Sequence, residues 1–212
     1  MTPLPTLLVL TDRVAAAARG RTLAETVAAA VGAGARAVVF REKDLSRPDR
    51  RSLGAAVAAV MPPDGCLIVA SDARLVTELG AAGVHLAAGD PWPEPAPTTV
   101  GRSCHDRAEL RTAAAEGVDY VTVSPVYPTP SKPGYGPALG KHVLSDLTAF
   151  TDAPPVYALG GVDAARAPEC LAAGAAGVAV MGAVMAADDP AAAVEALLAA
   201  LDATSGVKEV RG

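Results

Sequence analysis

A chain of 212 residues with a formal net charge of −5 is long enough to bury one sizeable core, and it carries no basic block or arginine-rich arm of the kind that points to nucleic acid. Hydrophobic residues make up 51% of it but aromatics only 3%, so the core has to be closely packed Ala, Val and Leu with few large anchors. The N-terminal run Leu7-Leu8-Val9-Leu10 has no basic flank and is too short for a signal peptide or a membrane span, while Cys66, Cys104 and Cys170 are odd in number and scattered, which excludes a disulfide framework or a metal spacing and points to reduced thiols in a cytoplasm.

Taken in chain order, short apolar runs predict eight strands: 7–11, 37–41, 67–71, 84–86, 99–101, 120–124, 155–159 and 178–181. Helical stretches are predicted over 23–31, 48–60, 73–79, 106–115, 164–172 and 191–201. The connection 91–97 holds four prolines and cannot be an ordinary helix. One local pattern returns at Gly34, Gly80, Gly117 and Gly174: an Ala-rich helix ends at Gly, and a buried strand follows within three residues. Glycine there suits a left-handed helix cap, and nearly all-apolar strands suit a parallel sheet covered by helices. Eight βα units in one domain favour a single (β/α)8 TIM barrel over an open sheet. The barrel domain is expected to span 1–204, with 205–212 a frayed tail.

In such a barrel the functional residues follow the C-terminal ends of the strands. Those positions hold Thr11-Asp12-Arg13, Arg41-Glu42-Lys43-Asp44, Ser71-Asp72, His85 and Asp90, then Ser103-Cys104-His105, the stretch from Ser124 to Lys132, Gly160-Gly161 and Met181-Gly182. Singly, Ser71 or Asp72 reads as a helix N-cap and His85 as an inward-facing, satisfied histidine. Together the positions describe a rim that binds something charged. Gly160-Gly161 and Gly182 fall after strands 7 and 8, where many barrels hold phosphate on backbone amides; a tight turn with positive φ is the plainer alternative. The loop after strand 6 carries Thr129, Ser131 and Lys132 between prolines, and hydroxyls beside an ammonium suit a departing pyrophosphate. Asp72 and Asp90, on neighbouring strand ends, are suited to share one Mg2+ with substrate phosphates.

With those residues in place, the chain resembles the thiamine phosphate synthase family and, more distantly, its relatives the thiazole tautomerases. The matching stretches are Leu10-Thr11-Asp12, Arg41-Glu42-Lys43, Gly83-Val84-His85-Leu86 with Asp90, Gly101-Arg102-Ser103-Cys104-His105, Pro125 through Lys132, and Ala158-Leu159-Gly160-Gly161-Val162. The resemblance implies that a hydroxymethylpyrimidine pyrophosphate loses pyrophosphate and that a thiazole phosphate is joined to it, with small phosphorylated pyrimidine and thiazole compounds as partners, Mg2+ as cofactor, no nucleic acid and no membrane; assembly into a homo-oligomer is left open. It also implies roles. Arg41, Lys43 and Lys132 would hold the pyrophosphate, and Asp72 and Asp90 the Mg2+. Ser103 would lie near the reacting groups, so that Lys132, Ser103 and Arg41 are the expected catalytic set. Thr129 and Ser131, with amides near Gly160, Gly161, Met181 and Gly182, would take the thiazole phosphate, and Ser71 would contact substrate.

Departures from the family pattern are Val39 in place of Gln, Ser71 in place of Asn, Ala87-Ala88 in place of Gly-Gln, and Gly182 in place of Ser. The Gln and Asn are the groups expected to read the pyrimidine. A thiazole tautomerase is the runner-up. Gly101-Arg102-Ser103 leans toward it, while Pro125, where tautomerases carry His, leans away, as does the retained Thr-Pro-Ser-Lys stretch. A non-catalytic phosphate-binding barrel is a third reading, and the retained aspartates and cations weigh against it.

Overall fold

Runs such as Ala37-Val38-Val39-Phe40 and Leu67-Ile68-Val69-Ala70 have no polar face, so as strands they have to be covered on both sides. The computed structural model, which describes residues 4–129 and 138–209, shows how that is achieved. Eight strands, β1 (Leu7–Leu10), β2 (Ala37–Phe40), β3 (Cys66–Ala70), β4 (Gly83–Leu86), β5 (Thr99–Cys104), β6 (Tyr120–Val123), β7 (Val156–Leu159) and β8 (Gly177–Val180), pair in sequence order as a closed barrel. All pairings are parallel, and Leu7 against Val178 and Val9 against Val180 close the ring. The barrel expected from the sequence is the barrel observed.

Around it, among the described residues, lie α1 (Arg13–Ala17), α2 (Leu23–Gly32), α3 (Arg47–Val60), α4 (Ala73–Leu79), α5 (Arg107–Glu116), α6 (Gly140–Thr148), α7 (Ala167–Ala172), α8 (Gly182–Met185) and α9 (Pro190–Glu209). Their starts follow capping chemistry. Thr22 and Glu25 form a reciprocal capping box at α2, and Asp72 and Asp106 cap α4 and α5 by accepting the amides of Leu75 and Glu109. Gly80 and Gly117 end α4 and α5 in the left-handed conformation, as the repeated Ala-to-Gly pattern predicts.

Three helices were not foreseen. α1 and α8 are too short to show a period, and α6 follows a proline-rich loop that hides its start. The last helix also runs past the expected boundary at Thr204 to Glu209; a lone Gly206 in an Ala-rich helix costs only about 1 kcal/mol and does not force a stop. No helix separates β4 from β5, in keeping with the prolines there.

The strand alternation divides the apolar residues into two layers. Val9, Val38, Phe40, Val69 and Val121 face outward and pack with helix residues such as Val27, Val57, Leu75, Leu110 and Leu197. Leu8, Leu10, Ala37, Val39, Ile68, Ala70 and Ala179 fill the inside together with two tyrosines, Tyr120 and Tyr157, whose rings meet edge to face at 5.7 Å. With so few aromatics available, glycine makes room for these two. Gly101 stands directly across from Tyr120, and a Cβ there would lie 2.1 Å from the ring. A Cβ at Gly177 would lie 2.6 Å from the Tyr157 ring. All three cysteines are free thiols. Among the described residues no helix is long and apolar enough to cross a membrane.

Candidate active site

The interior packing stops one layer short of the C-terminal ends of the strands, and a cavity of about 450 Å³ opens there. Its floor is apolar on the side of β1 to β3, where Leu10, Val39 and Ala70 contribute. On the side of β4 to β6 it is polar. His85 is almost fully buried at 6% exposure, with Nδ1 2.9 Å from the Tyr120 hydroxyl and Nε2 3.0 Å from Ser103 Oγ and 3.3 Å from Thr122 Oγ1. Whichever nitrogen carries the proton, both find a hydroxyl partner. Burial pushes the imidazole down to about 3, and Lys43, Arg41 and Arg102 push the same way, so at neutral pH the ring is uncharged. His85 is thus the satisfied interior histidine expected from the sequence, and it holds Ser103 at the cavity floor.

The wall at β2 is cationic. The Arg41 amide donates to Thr11 Oγ1 at 2.8 Å, and the Lys43 amide donates to the Arg41 carbonyl at 2.7 Å, a tight turn that turns both side chains toward the cavity. Between them Glu42, 4% exposed, points the other way and accepts the Arg13 amide at 3.1 Å and the Arg13 guanidinium at 3.0 Å. Arg13 also forks onto Asp44 at 2.8 and 2.6 Å. These bonds to Asp44 and Glu42 push the guanidinium above its ordinary range, and the cluster pins the β2 loop to α1.

The loop after β6 is zipped onto the end of β7. The amides of Val126 and Tyr127 donate to the carbonyls of Leu159 and Gly160, each at 2.9 Å. That close approach needs the two glycines: Gly160 and Gly161 have φ of 94° and 64°, and a Cβ would sit 2.8 Å from Pro125 Cα at the first and 2.6 Å from the Pro128 carbonyl at the second. The positive-φ turn and the cavity-lining role are therefore both present at this pair. Thr129 from the same loop, Met181 and Gly182 after β8, and Arg166 also line the cavity. Arg166 donates to the Gly161 carbonyl at 2.6 Å and lies 5.0 Å over the Tyr127 ring.

At the β3–β4 edge the two aspartates serve local structure. Asp72 Oδ1 accepts the Leu75 amide at 2.9 Å, and Oδ2 lies 3.6 Å from Arg50 and 4.0 Å from Arg47. Asp90 Oδ2 accepts the Ala87 amide at 2.7 Å and the Ser71 hydroxyl. Burial alone would raise the Asp90 carboxyl; the Ser71 and Ala87 hydrogen bonds, with Lys43 and Arg102, outweigh it and hold it below the usual carboxylate range. Ser71 does this from the left-handed region, at φ 56°, a conformation that asparagine tolerates better than serine. Arg102, nearly buried, fixes the loop by donating from Nη1 to the carbonyls of Ala87, Ala88 and Asp90 at 3.0, 3.1 and 2.9 Å.

Of the residues singled out in the sequence, Arg41, Lys43, Ser103, Thr129, Gly160, Gly161, Met181 and Gly182 line one cavity. Ser71, Asp72 and Asp90 stand beside it, next to the lining residues Ala70 and His85 but not in the lining themselves. Ser131 and Lys132 lie outside the described residues. His105 turns away from the cavity and bonds Glu109 of α5 at 2.9 Å. Asp12, Ser124, Asp163 and Arg166 line the cavity without having been assigned a role. The signal for the last two was an Asp and an Arg three residues apart just beyond the paired glycines. Among the described residues no group of three or more His, Cys, Asp or Glu is gathered as a metal cluster.

Residues 7–184 match the family described as thiamine monophosphate synthase. The chain is 38% identical over 199 residues to the thiamine-phosphate synthase of Methanoculleus marisnigri, covering 90% of this chain and 92% of that one. It is 37% identical over 205 residues to the thiamine-phosphate synthase of Albidiferax ferrireducens, covering 93% and 92%. Among solved structures, the thiamine phosphate pyrophosphorylase of Pyrococcus furiosus superposes with a TM-score of 0.82 at 27% identity, over 94% of this chain and 96% of that one.

Proposed function

The chain belongs to the thiamine monophosphate synthase family, and from that premise we propose that it joins a hydroxymethylpyrimidine pyrophosphate to a thiazole phosphate, forming thiamine phosphate and releasing pyrophosphate. The observation that carries the reading is the convergence of two cations, a hydroxyl and a glycine turn on one cavity with an apolar floor: Arg41 and Lys43 from β2, Thr129 from the β6 loop, and Gly160-Gly161 from β7. Two anionic groups can be held at that rim while the rings between them lie in a dry mouth.

In this reading the C–O bond between the pyrimidine methylene and the pyrophosphate breaks, the electron pair leaves with the pyrophosphate, and the thiazole ring nitrogen bonds to the exposed carbon. Arg41 and Lys43, with Lys132, bind the departing pyrophosphate, and their charge counts for more in a low-dielectric mouth than in water. Ser103, held by His85, lies at the floor near the reacting carbon. Thr129 and Ser131, with the amides of Gly160, Gly161, Met181 and Gly182, bind the thiazole phosphate. The apolar floor keeps water from the cationic carbon.

Mg2+ fits the donor set at the β3–β4 edge. Asp72 and Asp90 offer hard carboxylate oxygens after adjacent strands β3 and β4, and Ser71 holds the second of them. Because Arg47 and Arg50 already balance Asp72, the ion would lean on Asp90 and on substrate oxygens. When bound, it would neutralise charge on the pyrophosphate. Here Ser71 acts through the metal site, by holding Asp90, rather than on the substrate directly.

The test is a product assay with both substrates, with and without added Mg2+. Thiamine phosphate formed only with the metal supports the whole reading. Formation that survives chelation removes the metal role of Asp72 and Asp90. No product from folded protein overturns the function.

A further inference from the structure

Ser124 is an anomaly within the cavity. It continues the inward face of β6 begun by Tyr120 and Thr122, because side chains alternate along a strand. Its amide donates to the Cys104 carbonyl at 3.1 Å, which adds one rung to the β5–β6 ladder and fixes the backbone. The residue lines the cavity and is only 3% exposed, yet its hydroxyl has no hydrogen-bond partner among the described residues. Buried hydroxyls are nearly always paired, and leaving one unpaired is unfavourable. A group that stays unpaired at the floor of a binding cavity is explained when a ligand supplies the partner.

The neighbours define that ligand. The facing floor is Leu10, Val39 and Ala70, which suits the flat face of a ring. Ser103, the adjacent hydroxyl, is already taken by His85. A neutral hydroxyl among apolar groups suits the edge of an uncharged heterocycle rather than a phosphate, which the rim cations serve better. Between the two rings of the proposed reaction, the thiazole nitrogen has to stay free to attack, whereas a pyrimidine presents two ring nitrogens as acceptors. Of the other residues at or beside the apolar floor, Val39 has no polar atom to offer, and the Ser71 hydroxyl is committed to Asp90. We infer that Ser124 Oγ donates a hydrogen bond to a ring nitrogen of the pyrimidine substrate. The inference rests on the function proposed above and names the residue that reads one of its substrates.

Ser124→Ala separates a ligand-reading role from a structural one, because the two predict opposite effects on the free protein. Urea unfolding without ligands is expected to give a midpoint equal to or above that of the wild type, since an unpaired buried hydroxyl is removed. Titration calorimetry is expected to give a dissociation constant for the pyrimidine pyrophosphate raised about tenfold, the loss of one net hydrogen bond, with that for the thiazole phosphate unchanged. A lower midpoint would mean that the hydroxyl is satisfied in the free protein and would overturn the inference. So would unchanged affinity for the pyrimidine compound, or equal weakening of both ligands, which marks a general distortion of the cavity. Wild-type protein that binds neither compound would overturn the proposed function first and this inference with it, and the unfolding midpoints keep that failure distinct.

Discussion

His85 carries a stability signature that can be measured apart from any reaction. Its folded value of about 3 lies below the ordinary 6.5, so between those values the unfolded chain binds a proton that the folded barrel refuses. Stability therefore falls as pH drops from about 6.5 toward 3, with a slope that approaches ~1.4 kcal/mol per pH unit from this one group. Carboxylates titrate in the same window, so the informative quantity is a difference. The gap between wild type and His85→Gln, followed by urea unfolding at several pH values, should narrow as the solution is acidified. A gap that stays constant would show that His85 is not buried in its neutral form. The interior place of His85 was legible in the sequence because it sits in a short apolar run that reads as a buried strand. Its partners were not: Tyr120, Ser103 and Thr122 come from two other strands, and only barrel closure brings them together. Asp72 shows the reverse. A cap at Ser71 or Asp72 was readable from the helix that follows, and Asp72 is the one that takes it, while the two arginines opposite it come from α3 and gave no local sign.

At the scale of elements, the β6 loop and the β7 turn form one unit held by two backbone bonds and two glycines. Gly160→Ala puts a Cβ 2.8 Å from the Pro125 Cα at a φ of 94°, where neither backbone can yield cheaply. We expect a loss of about 2 kcal/mol or more in stability and a larger fractional loss of activity, because the loop that carries Thr129 has to lift. Gly89→Ala, at a glycine with nothing within 4 Å of its Cβ position, is the control and should be near neutral in both. Thermal unfolding together with the product assay checks the pair; equal behaviour of the two variants would show that the loop is not seated on the turn. The strands and the longer helices were legible from apolar runs, Ala-to-Gly punctuation and proline content. The short α1 and α8 were not, because one turn of helix leaves no period to read. Nor was the cluster of Arg13 with Glu42 and Asp44, because helical and strand patterns do not report which loops touch.

For the whole molecule, eight strand signals in one short chain were enough to give the barrel, and the polar residues at successive strand ends gave the face that carries the site. Which of them share a cavity depends on closure, and so Asp90 and Ser71, legible as rim residues, stand beside the cavity rather than in its lining. What composition could not show was how a barrel with so few aromatics fills its interior. Two tyrosines plug it, each against a glycine. Gly101→Ala should cost about 3 kcal/mol, at the upper end for overpacking, since the clash is with a ring enclosed on all sides. Tyr120→Leu alone should also destabilise, by leaving a cavity and an unpartnered His85 nitrogen. The double variant should be more stable than the sum of the two losses predicts, by 1 kcal/mol or so of coupling, as a double-mutant cycle in urea would show; strict additivity would mean that the two positions do not share space. Glycine 101 and tyrosine 120 are thus one character written in two places. A larger residue at 101 is closed to a lineage until the ring at 120 has given way, so exchange at this pair has an order, and the barrel's tolerance for drift is smaller than the small size of its residues suggests.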